Sequence, residues 1–218
     1  MKHSIDKTKM HFLITAGGTR EYIDPVRFIS NASSGRMGYA LARAAVSGGH
    51  KATLISTCDL QPPVGVEFVG VESASEMFAA VKRCFDKCDC LIMAAAVADY
   101  TPVRTAKSKI RKQNKSLSIR LKPTADILKW AGRQKRVKSK SVKGHIVVGF
   151  ALEDKAIRSR AEKKLREKNL DMIIANSPDA IGSEKSTVQI KTSDGGWIKI
   201  ENSTKTTIAK RIIALLAY

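Results

Sequence analysis

The sequence predicts an α/β protein with a Rossmann-like three-layer sandwich, in which a mainly parallel sheet ends in a C-terminal antiparallel hairpin. Three observations lead to this fold class. Short apolar runs alternate with stretches of helical period as far as residue 176, residues 90–97 are apolar throughout, and two alternating segments flank a turn at 193–196. At 218 residues the chain needs no second domain, so we predict a single domain over residues 1–218.

The strands are predicted from the apolar runs. Parallel strands are expected at residues 10–15, 52–56, 66–71, 90–97, 146–151 and 172–175, followed by hairpin strands at 187–192 and 197–201. The run at 90–97 is expected at the centre of the sheet, where both faces are covered. Ligands of such sheets bind beyond the C-terminal strand ends, which points to the loops after residues 15, 97 and 151.

The helices are predicted from apolar residues at helical spacing. Ser73 and Glu76 form a capping box that opens one helix, and a short helix is expected near 126–131. The inner faces of the other helices are formed by Met37, Leu41, Ala44 and Ala45, by Ile157, Ala161 and Leu165, and by Ile208, Ile212, Leu215 and Leu216.

The charge is strongly positive, because 39 Lys and Arg stand against 20 Asp and Glu, a net of +19. Such a field attracts anions, whether polyphosphates, nucleic acid or an acidic membrane surface. We predict a mobile basic lid loop at about residues 100–116 and a second basic connector at 133–145. Both contain almost no aromatic residues for base stacking, so nucleic acid is not the expected partner, although a nucleic-acid-binding module is the main alternative function.

No apolar run approaches the ~20 residues that span a bilayer, so no membrane partner is expected. The N-terminal segment predicts a first strand, since its apolar stretch is too short for a signal peptide. The four cysteines, at positions 58, 84, 88 and 90, lack the paired spacing of zinc sites, and we expect free thiols. Free thiols fit a reducing cytoplasm, which is the expected location.

Glycines and serines precede the first predicted helix, in the loop AGGTREYIDPVRFISNASSGRMG. We predict that Ser33 or Ser34 caps this helix and that Gly35 and Gly38 let a phosphate or carboxylate approach the backbone N–H groups. Taken alone, the pattern fits turn glycines and ordinary caps as well. An NAD(P) reductase is a distant alternative, because the G-x-G-x-x-G fingerprint between strand and helix is absent.

Three longer segments occur in a specific order. The first, ITAGGTREYIDPVRFISNASSGRMGYALA, contains a TxGxTxExID-like stretch followed by VRxIxNxSSGxMG. MAAAVADYTP follows, with KIRK in the loop behind it, and then VGFALED with KKLREKNLDMIIAN. These segments, which span residues 12–176, resemble the motifs of the phosphopantothenoylcysteine synthetase family.

The resemblance implies a ligase of coenzyme A biosynthesis. The carboxylate of 4'-phosphopantothenate would attack the α-phosphorus of CTP, with ATP as the alternative, and the amine of L-cysteine would displace CMP from the acyl-cytidylate. It also implies Mg²⁺ with the triphosphate and a homodimer. Many bacterial relatives carry a flavin-dependent decarboxylase ahead of this domain. Because few residues precede the first predicted strand, we expect that decarboxylase in a separate protein, or in a longer protein from which this chain is excised.

By motif position, the resemblance assigns roles to single residues. Asn31 would hold the activated acyl group, Arg27 would support the same loop, and Lys109, the first lysine of KIRK, would neutralise phosphate charge. The nucleotide-binding set would be Gly17, Gly18, Ser33, Ser34, Gly35, Met37, Ala95, Ala96, Asp99, Asp126 and Phe150.

Within this set, Ser33, Ser34, Gly35 and Met37 would surround the phosphates, and Phe150 would pack against the base or, equally well, in the core. The sequence departs from the family in two places. Arg36 stands where lysine is common, and the segment TADIL has Ala125 in place of proline, which leaves the role of Asp126 open. No carboxylate cluster predicts the magnesium ligands.

Overall fold

The computed structural model describes residues 9–112, 114–137, 144–180 and 182–217. The strands are β1 (His11–Ala16), β2 (Arg20–Tyr22), β3 (Phe28–Ser30), β4 (Lys51–Ser56), β5 (Glu67–Gly70), β6 (Cys90–Met93), β7 (Tyr100–Pro102), β8 (Leu121–Pro123), β9 (Ile146–Leu152), β10 (Met172–Asn176), β11 (Lys185–Thr192) and β12 (Trp197–Thr204). The helices are α1 (Arg36–Ser47), α2 (Ala74–Phe85), α3 (Ile127–Val137), α4 (Ile157–Glu167) and α5 (Lys205–Leu216).

One central sheet organises the described residues. Its eight strands run in the order β12-β11-β10-β9-β6-β1-β4-β5. From β10 to β5 every neighbouring pair is parallel, whereas β11 and β12 form an antiparallel hairpin on the other side of β10. The predicted fold class is therefore confirmed, with β6 inside the sheet and the hairpin at one edge.

Helices cover both faces of this sheet, because successive side chains of a buried strand point to opposite faces. In β1, Ile14 belongs to the cluster beneath α1 and α5, whereas Leu13 belongs to the cluster beneath α2, α3 and α4. Both side chains are fully buried. Apolar burial on two faces explains why the parallel strands are continuous apolar runs in the sequence.

The central strand β6 ends at Met93, four residues earlier than predicted. The chain leaves the ladder because other groups take its amides: the Ala95 amide donates to Thr15 Oγ1 (3.1 Å) and the Ala96 amide to the Gly17 carbonyl (2.8 Å). The alanines that follow Met93 were predicted to continue the strand, but they form a bent segment beyond its end.

Two short hairpins were not predicted. β2 pairs with β3, and β7 pairs with β8 in the register Tyr100↔Pro123. Each strand has three residues, too few for a period to be detected. The predicted basic lid thus begins with a paired strand.

Each of the five predicted helices is present in the structure. Glu76 donates its amide to Ser73 Oγ (3.2 Å) as a capping box requires, although its carboxylate accepts from the Glu72 amide (2.8 Å), one residue before the cap. Helix α3 extends to Val137 and includes the start of the predicted connector, of which residues 138–143 lie outside the described residues.

The four cysteines are free, as predicted, and burial raises the pKa of Cys88 to about 12. Across the described residues, no helix has the length and apolar character that crossing a membrane requires.

Candidate functional site

The C-terminal ends of β1, β4 and β6 meet at one edge of the sheet, because the three strands are parallel neighbours. Beyond this edge Gly18 forms an isolated bridge with Ala96, and the Ala96 amide donates to the Gly17 carbonyl. The side-chain amide of Asn31 donates to the carbonyls of Ala96 (3.4 Å) and Val97 (3.1 Å). The structure thus brings together residues that two separate motifs predicted.

Two buried threonines shape this segment, and sequence reasoning missed both. Thr15 Oγ1 accepts from the Ala95 amide (3.1 Å), and Thr19 Oγ1 accepts from the Ala98 amide (2.9 Å). Both threonines are fully buried, where an unpaired hydroxyl would be costly. The signal that could have found them is the TxGxTxExID-like stretch, in which both threonines occupy fixed positions.

The start of α1 differs from the prediction. The N-cap is Gly35 in the left-handed region (φ 70°), with no side-chain cap, so the prediction that Ser33 or Ser34 caps the helix is wrong. Ser33 Oγ instead accepts from the Gly35 amide at 3.5 Å. Because no side chain caps the first turn, its N–H groups are open to an anion. Met37 packs its side chain against the core, so it could contact a phosphate only through its backbone.

Glycine is required at two positions by the Cys58 thiol, which sequence reasoning did not assign to the site. A Cβ added at Gly35 would lie 2.5 Å from Cys58 Sγ, and one at Gly17 would lie 2.6 Å from the same sulfur and 2.2 Å from Thr57 Oγ1. Both glycines have positive φ. The thiol at the end of β4 therefore packs directly beneath the two turns.

A cavity of about 480 Å³ opens beside these turns. Its lining includes Gly18, Asn31, Ser33 and Ser34, together with Arg20 from β2. The Arg20 guanidinium lies 5.3 Å from the centre of the Phe28 ring and 3.9 Å from the Asp59 carboxylate. Arg20 is a further cation that sequence reasoning did not assign, and it places positive charge beside the predicted phosphate region.

A second group of predicted residues surrounds Lys164, which also escaped sequence reasoning. Lys164 Nζ donates to the Phe150 carbonyl (2.8 Å). Burial, and then the neighbouring Lys168, lower the pKa of Lys164, while Glu153, Asp126 and Asp99 act in the opposite direction. The lysine is therefore bonded to the backbone of β9, and it interacts electrostatically with Asp126 before α3 and with Asp99 beyond β6.

Asp126 and Phe150 have structural partners in this region. Asp126 accepts from the Lys129 amide (2.9 Å) and so caps α3 without the proline of the family pattern, and it pairs with Lys168 Nζ (2.9 Å). Burial raises the pKa of Asp126, but the hydrogen bond from the Lys129 amide and the neighbouring Lys168 lower it by more. The net shift of the Asp126 pKa is therefore downward. Phe150 is half-buried and packs against the core, whereas Asp99 is exposed.

Arg27 and Lys109 lie on adjoining loops. The Arg27 guanidinium pairs with Asp24 and donates to the Ile110 carbonyl (2.7 Å). Lys109, directly before Ile110, has an exposed side chain.

A separate basic cavity of about 620 Å³ lies between α1 and α5. Arg36, Arg43, Lys205 and Lys210 line it, with one acid, Glu184. Burial and the neighbouring Arg36 lower the pKa of Lys205. None of the predicted site residues lines this cavity. In the described part of the chain, no group of three or more His, Cys, Asp and Glu side chains is arranged to hold a metal ion.

Comparison with known proteins agrees with the motifs. The chain is 41% identical over 227 aligned residues to the coenzyme A biosynthesis bifunctional protein CoaBC of Bacillus subtilis, covering 99% of this chain and 54% of that protein. It is 43% identical to a cysteine/cysteine sulfinic acid decarboxylase of an unknown prokaryotic organism, covering 92% of this chain and 56% of that protein. The chain therefore spans about half the length of these curated relatives.

Among solved structures, the C-terminal domain of a CoaBC protein superposes with a TM-score of 0.81 at 39% identity, covering 97% of this chain and 95% of that domain. The family model for the DNA/pantothenate metabolism flavoprotein C-terminal domain matches residues 7–218. This chain belongs to the DNA/pantothenate metabolism flavoprotein C-terminal domain family.

Proposed function

We propose that this chain is a phosphopantothenate-cysteine ligase, which joins 4'-phosphopantothenate to L-cysteine through an acyl-cytidylate. The observation that carries the proposal is the Asn31 amide, bonded to the backbone of Ala96 and Val97 beside the uncapped start of α1. The proposal is supported by the similarity to the C-terminal domain of CoaBC, a protein named for coenzyme A biosynthesis.

In the first step, a carboxylate oxygen of 4'-phosphopantothenate bonds to the α-phosphorus of CTP, and pyrophosphate leaves. Negative charge grows on the phosphate oxygens, so fixed donors and cations near them lower the barrier. The open N–H groups of α1, Arg20 in the adjoining cavity, and Lys109 are the groups we assign to this task. We also assign Lys164 to contact the α-phosphate and Asp99 to accept a hydrogen bond from the nucleoside.

In the second step, the cysteine nitrogen attacks the acyl carbon, loses a proton and forms the amide, and CMP leaves. We assign Asn31 to hold the acyl oxygen, since a side-chain amide donates a hydrogen bond without adding a charge that must be neutralised. The 3.1 Å bond to the Val97 carbonyl fixes one amide hydrogen before substrate arrives, and the other hydrogen, whose bond to the Ala96 carbonyl is longer at 3.4 Å, is the one that would turn to the acyl oxygen.

Mg²⁺ enters the proposal as the counter-ion of the triphosphate, neutralising phosphate charge when bound. Magnesium usually keeps several waters and takes one or two carboxylates plus substrate phosphates. Asp99 is exposed at the strand end and fits this need, whereas Asp126 already engages Lys168 and the Lys129 amide. We therefore assign Asp99 as the protein group that would hold the ion.

The proposal extends to partners and location. We infer a homodimer that works in the cytoplasm, where free thiols such as the four found here persist. The decarboxylation of the product would be carried out by a flavin-dependent decarboxylase, in a separate protein or another part of the same one.

Pyrophosphate release and amide formation, measured with CTP or ATP and with each substrate omitted in turn, test the proposal. We expect pyrophosphate release to require phosphopantothenate and a nucleotide, and amide formation to require cysteine as well. CTP should be strongly preferred, because a site built to hydrogen-bond one base leaves polar groups unpaired with another. Equal efficiency with ATP would contradict CTP dependence, and no release with either nucleotide would contradict the ligase assignment.

A further inference from the structure

Asp24 is a carboxylate with no exposed surface, on the turn between β2 and β3. Its Oδ1 accepts from the amides of Val26 and Arg27, both at 2.9 Å. Its Oδ2 accepts from the Arg27 side chain (Nε, 2.9 Å) and from the amide of Ile110 (3.1 Å). A buried carboxylate is stable only when paired and hydrogen-bonded in this way. The Arg27 guanidinium, opposed by burial, holds the pKa of Asp24 well below its usual range.

The same ion pair forms hydrogen bonds with both the backbone N–H and the backbone carbonyl of Ile110. Asp24 accepts from its N–H, while Arg27 Nη2 donates to its carbonyl at 2.7 Å. These contacts join positions more than 80 residues apart in the sequence, so they set where the basic loop lies on the domain.

The loop has a second attachment four residues earlier. The Ala106 amide donates to the Ile23 carbonyl (2.9 Å), and Thr105 Oγ1 donates to the Tyr22 carbonyl (3.1 Å). Residues 107–109 are therefore held between two anchored points. Because consecutive Cα atoms are about 3.8 Å apart, the backbone of Lys109 is confined to the immediate vicinity of the Asp24–Arg27 pair.

We propose that Asp24 is the positioning residue for Lys109. The Asp24–Arg27 pair forms a latch on the Ile110 backbone, so that Lys109 extends from a fixed base rather than from a freely moving loop. This inference rests on the proposed function for the role of Lys109. The latch itself is a property of the fold. A catalytic side chain held by a rigid base loses less conformational freedom when it meets the transition state.

Ile110→Pro tests the latch most directly, because it removes the N–H that donates to Asp24 while the Asp24–Arg27 pair stays intact. Ile110→Ala is the matched control, since it keeps the N–H and removes only side-chain atoms. Trypsin cleavage after Lys107 and Arg111, both exposed, reports release of the loop, whereas the bond after Lys109 is not used because trypsin does not cut before proline. In Ile110→Pro we expect cleavage there to accelerate about tenfold, in line with loss of one hydrogen bond to a charged group, with cleavage elsewhere unchanged.

Asp24→Asn removes the charge and provides a second measurement. We expect faster hydrogen exchange of the Ile110 amide and about a tenfold lower kcat for pyrophosphate release, with little change in the KM for cysteine measured in amide formation. Asp154→Asn is its control, because Asp154 forms an exposed pair with Arg160 at 3.1 Å. Melting temperatures separate loop release from global unfolding.

Each result decides between the alternatives. Unchanged loop cleavage in Ile110→Pro and unchanged Ile110 exchange in Asp24→Asn would overturn the latch. Faster cleavage with unaltered pyrophosphate release would overturn the positioning role. A wild-type protein that releases no pyrophosphate with any nucleotide would overturn the ligase proposal and the role of Lys109, and the cleavage and exchange data would still decide whether the loop is latched.

Discussion

The proposed chemistry depends on single residues at the strand ends, and substitution of Asn31 tests it most directly. Its side-chain amide faces two carbonyl oxygens, of Ala96 and Val97, which only a donor can satisfy. Asn31→Asp keeps the shape but turns a carboxylate toward these oxygens and toward an anionic intermediate. We expect partial pyrophosphate release, an acyl-nucleotidylate visible by mass spectrometry, and amide product reduced by about 10²- to 10³-fold.

The control for this variant is Asn202→Asp, the same chemical change at an exposed residue of the β11–β12 hairpin. It should leave both half-reactions unchanged. Normal amide formation by Asn31→Asp would remove Asn31 from the mechanism.

Lys164 leads to a prediction about pH. Burial and the neighbouring Lys168 lower its pKa from the ordinary 10.5, so its positive charge is present at low pH and is lost as pH rises through the lowered value. If the charge contacts the nucleotide, the KM for CTP should rise as Lys164 loses its proton, which happens at a pH below 10.5. In Lys164→Arg this rise should move to higher pH, because a guanidinium stays charged. Initial rates at several pH values measure it.

Lys163→Arg on the same helix is the control, since Lys163 is exposed and pairs only weakly with Glu167 (3.8 Å). Its pH profile should match that of the wild-type protein. Identical profiles for all three proteins would exclude Lys164 from nucleotide binding.

At the scale of elements, β1 and α1 pack closely at Gly38. A Cβ added at Gly38 would lie 2.5 Å from the Ala16 Cβ and 2.9 Å from the Thr15 carbonyl, and these are atoms of a buried strand that cannot move aside cheaply. Gly38→Ala should therefore destabilise the protein by about 1–3 kcal/mol and lower its Tm by roughly 2–12 °C. Thermal unfolding followed by circular dichroism measures this.

Gly196→Ala is the matched control, because a Cβ there meets nothing within 4 Å. Its Tm should stay within about 2 °C of wild type, as expected for a surface change of about 0.5 kcal/mol. A Gly38→Ala protein as stable as this control would show that α1 is free to shift away from β1.

The elements themselves were predictable to different degrees. The six parallel strands and the final hairpin were all predicted. Strands buried on both faces are continuous apolar runs, and strands buried on one face alternate between apolar and polar residues, so both kinds are visible in the sequence. The β2–β3 and β7–β8 hairpins were not, since three-residue strands stabilised by backbone pairing leave no such record. The start of α1 was misassigned because a left-handed glycine displaced the serine cap, and the Cys58 contact that requires it is visible only in three dimensions.

At the scale of the whole molecule, the predicted homodimer offers a decisive experiment. We predict that Lys109 acts on the site of the neighbouring subunit, carried by the loop that Asp24 and Arg27 hold. Asn31→Asp and Lys109→Gln would each lack amide-forming activity. Random mixing of the two should then restore about a quarter of wild-type activity, because half of the dimers are mixed and each has one intact site.

The measurement is the rate of amide formation by the mixture, taken after subunit exchange has been confirmed. Each variant alone is the control. No recovery would show that Asn31 and Lys109 act within one subunit. Such a result would leave the latch on Ile110 unaffected, because its hydrogen bonds lie within one chain.

The sequence by itself determined the fold class, the family and the identity of the motif residues, because hydrophobic period and ordered motifs are local properties of the chain. It also predicted Asn31, Gly35 and Ala96 as members of one candidate site. Only the tertiary structure brought in Thr15, Thr19, Arg20, Cys58 and Lys164, and only it joined Asp24 and Arg27 to Ile110. These residues act through contacts between distant segments, and no pattern along the chain records which buried hydroxyl, thiol or charge will meet which backbone group.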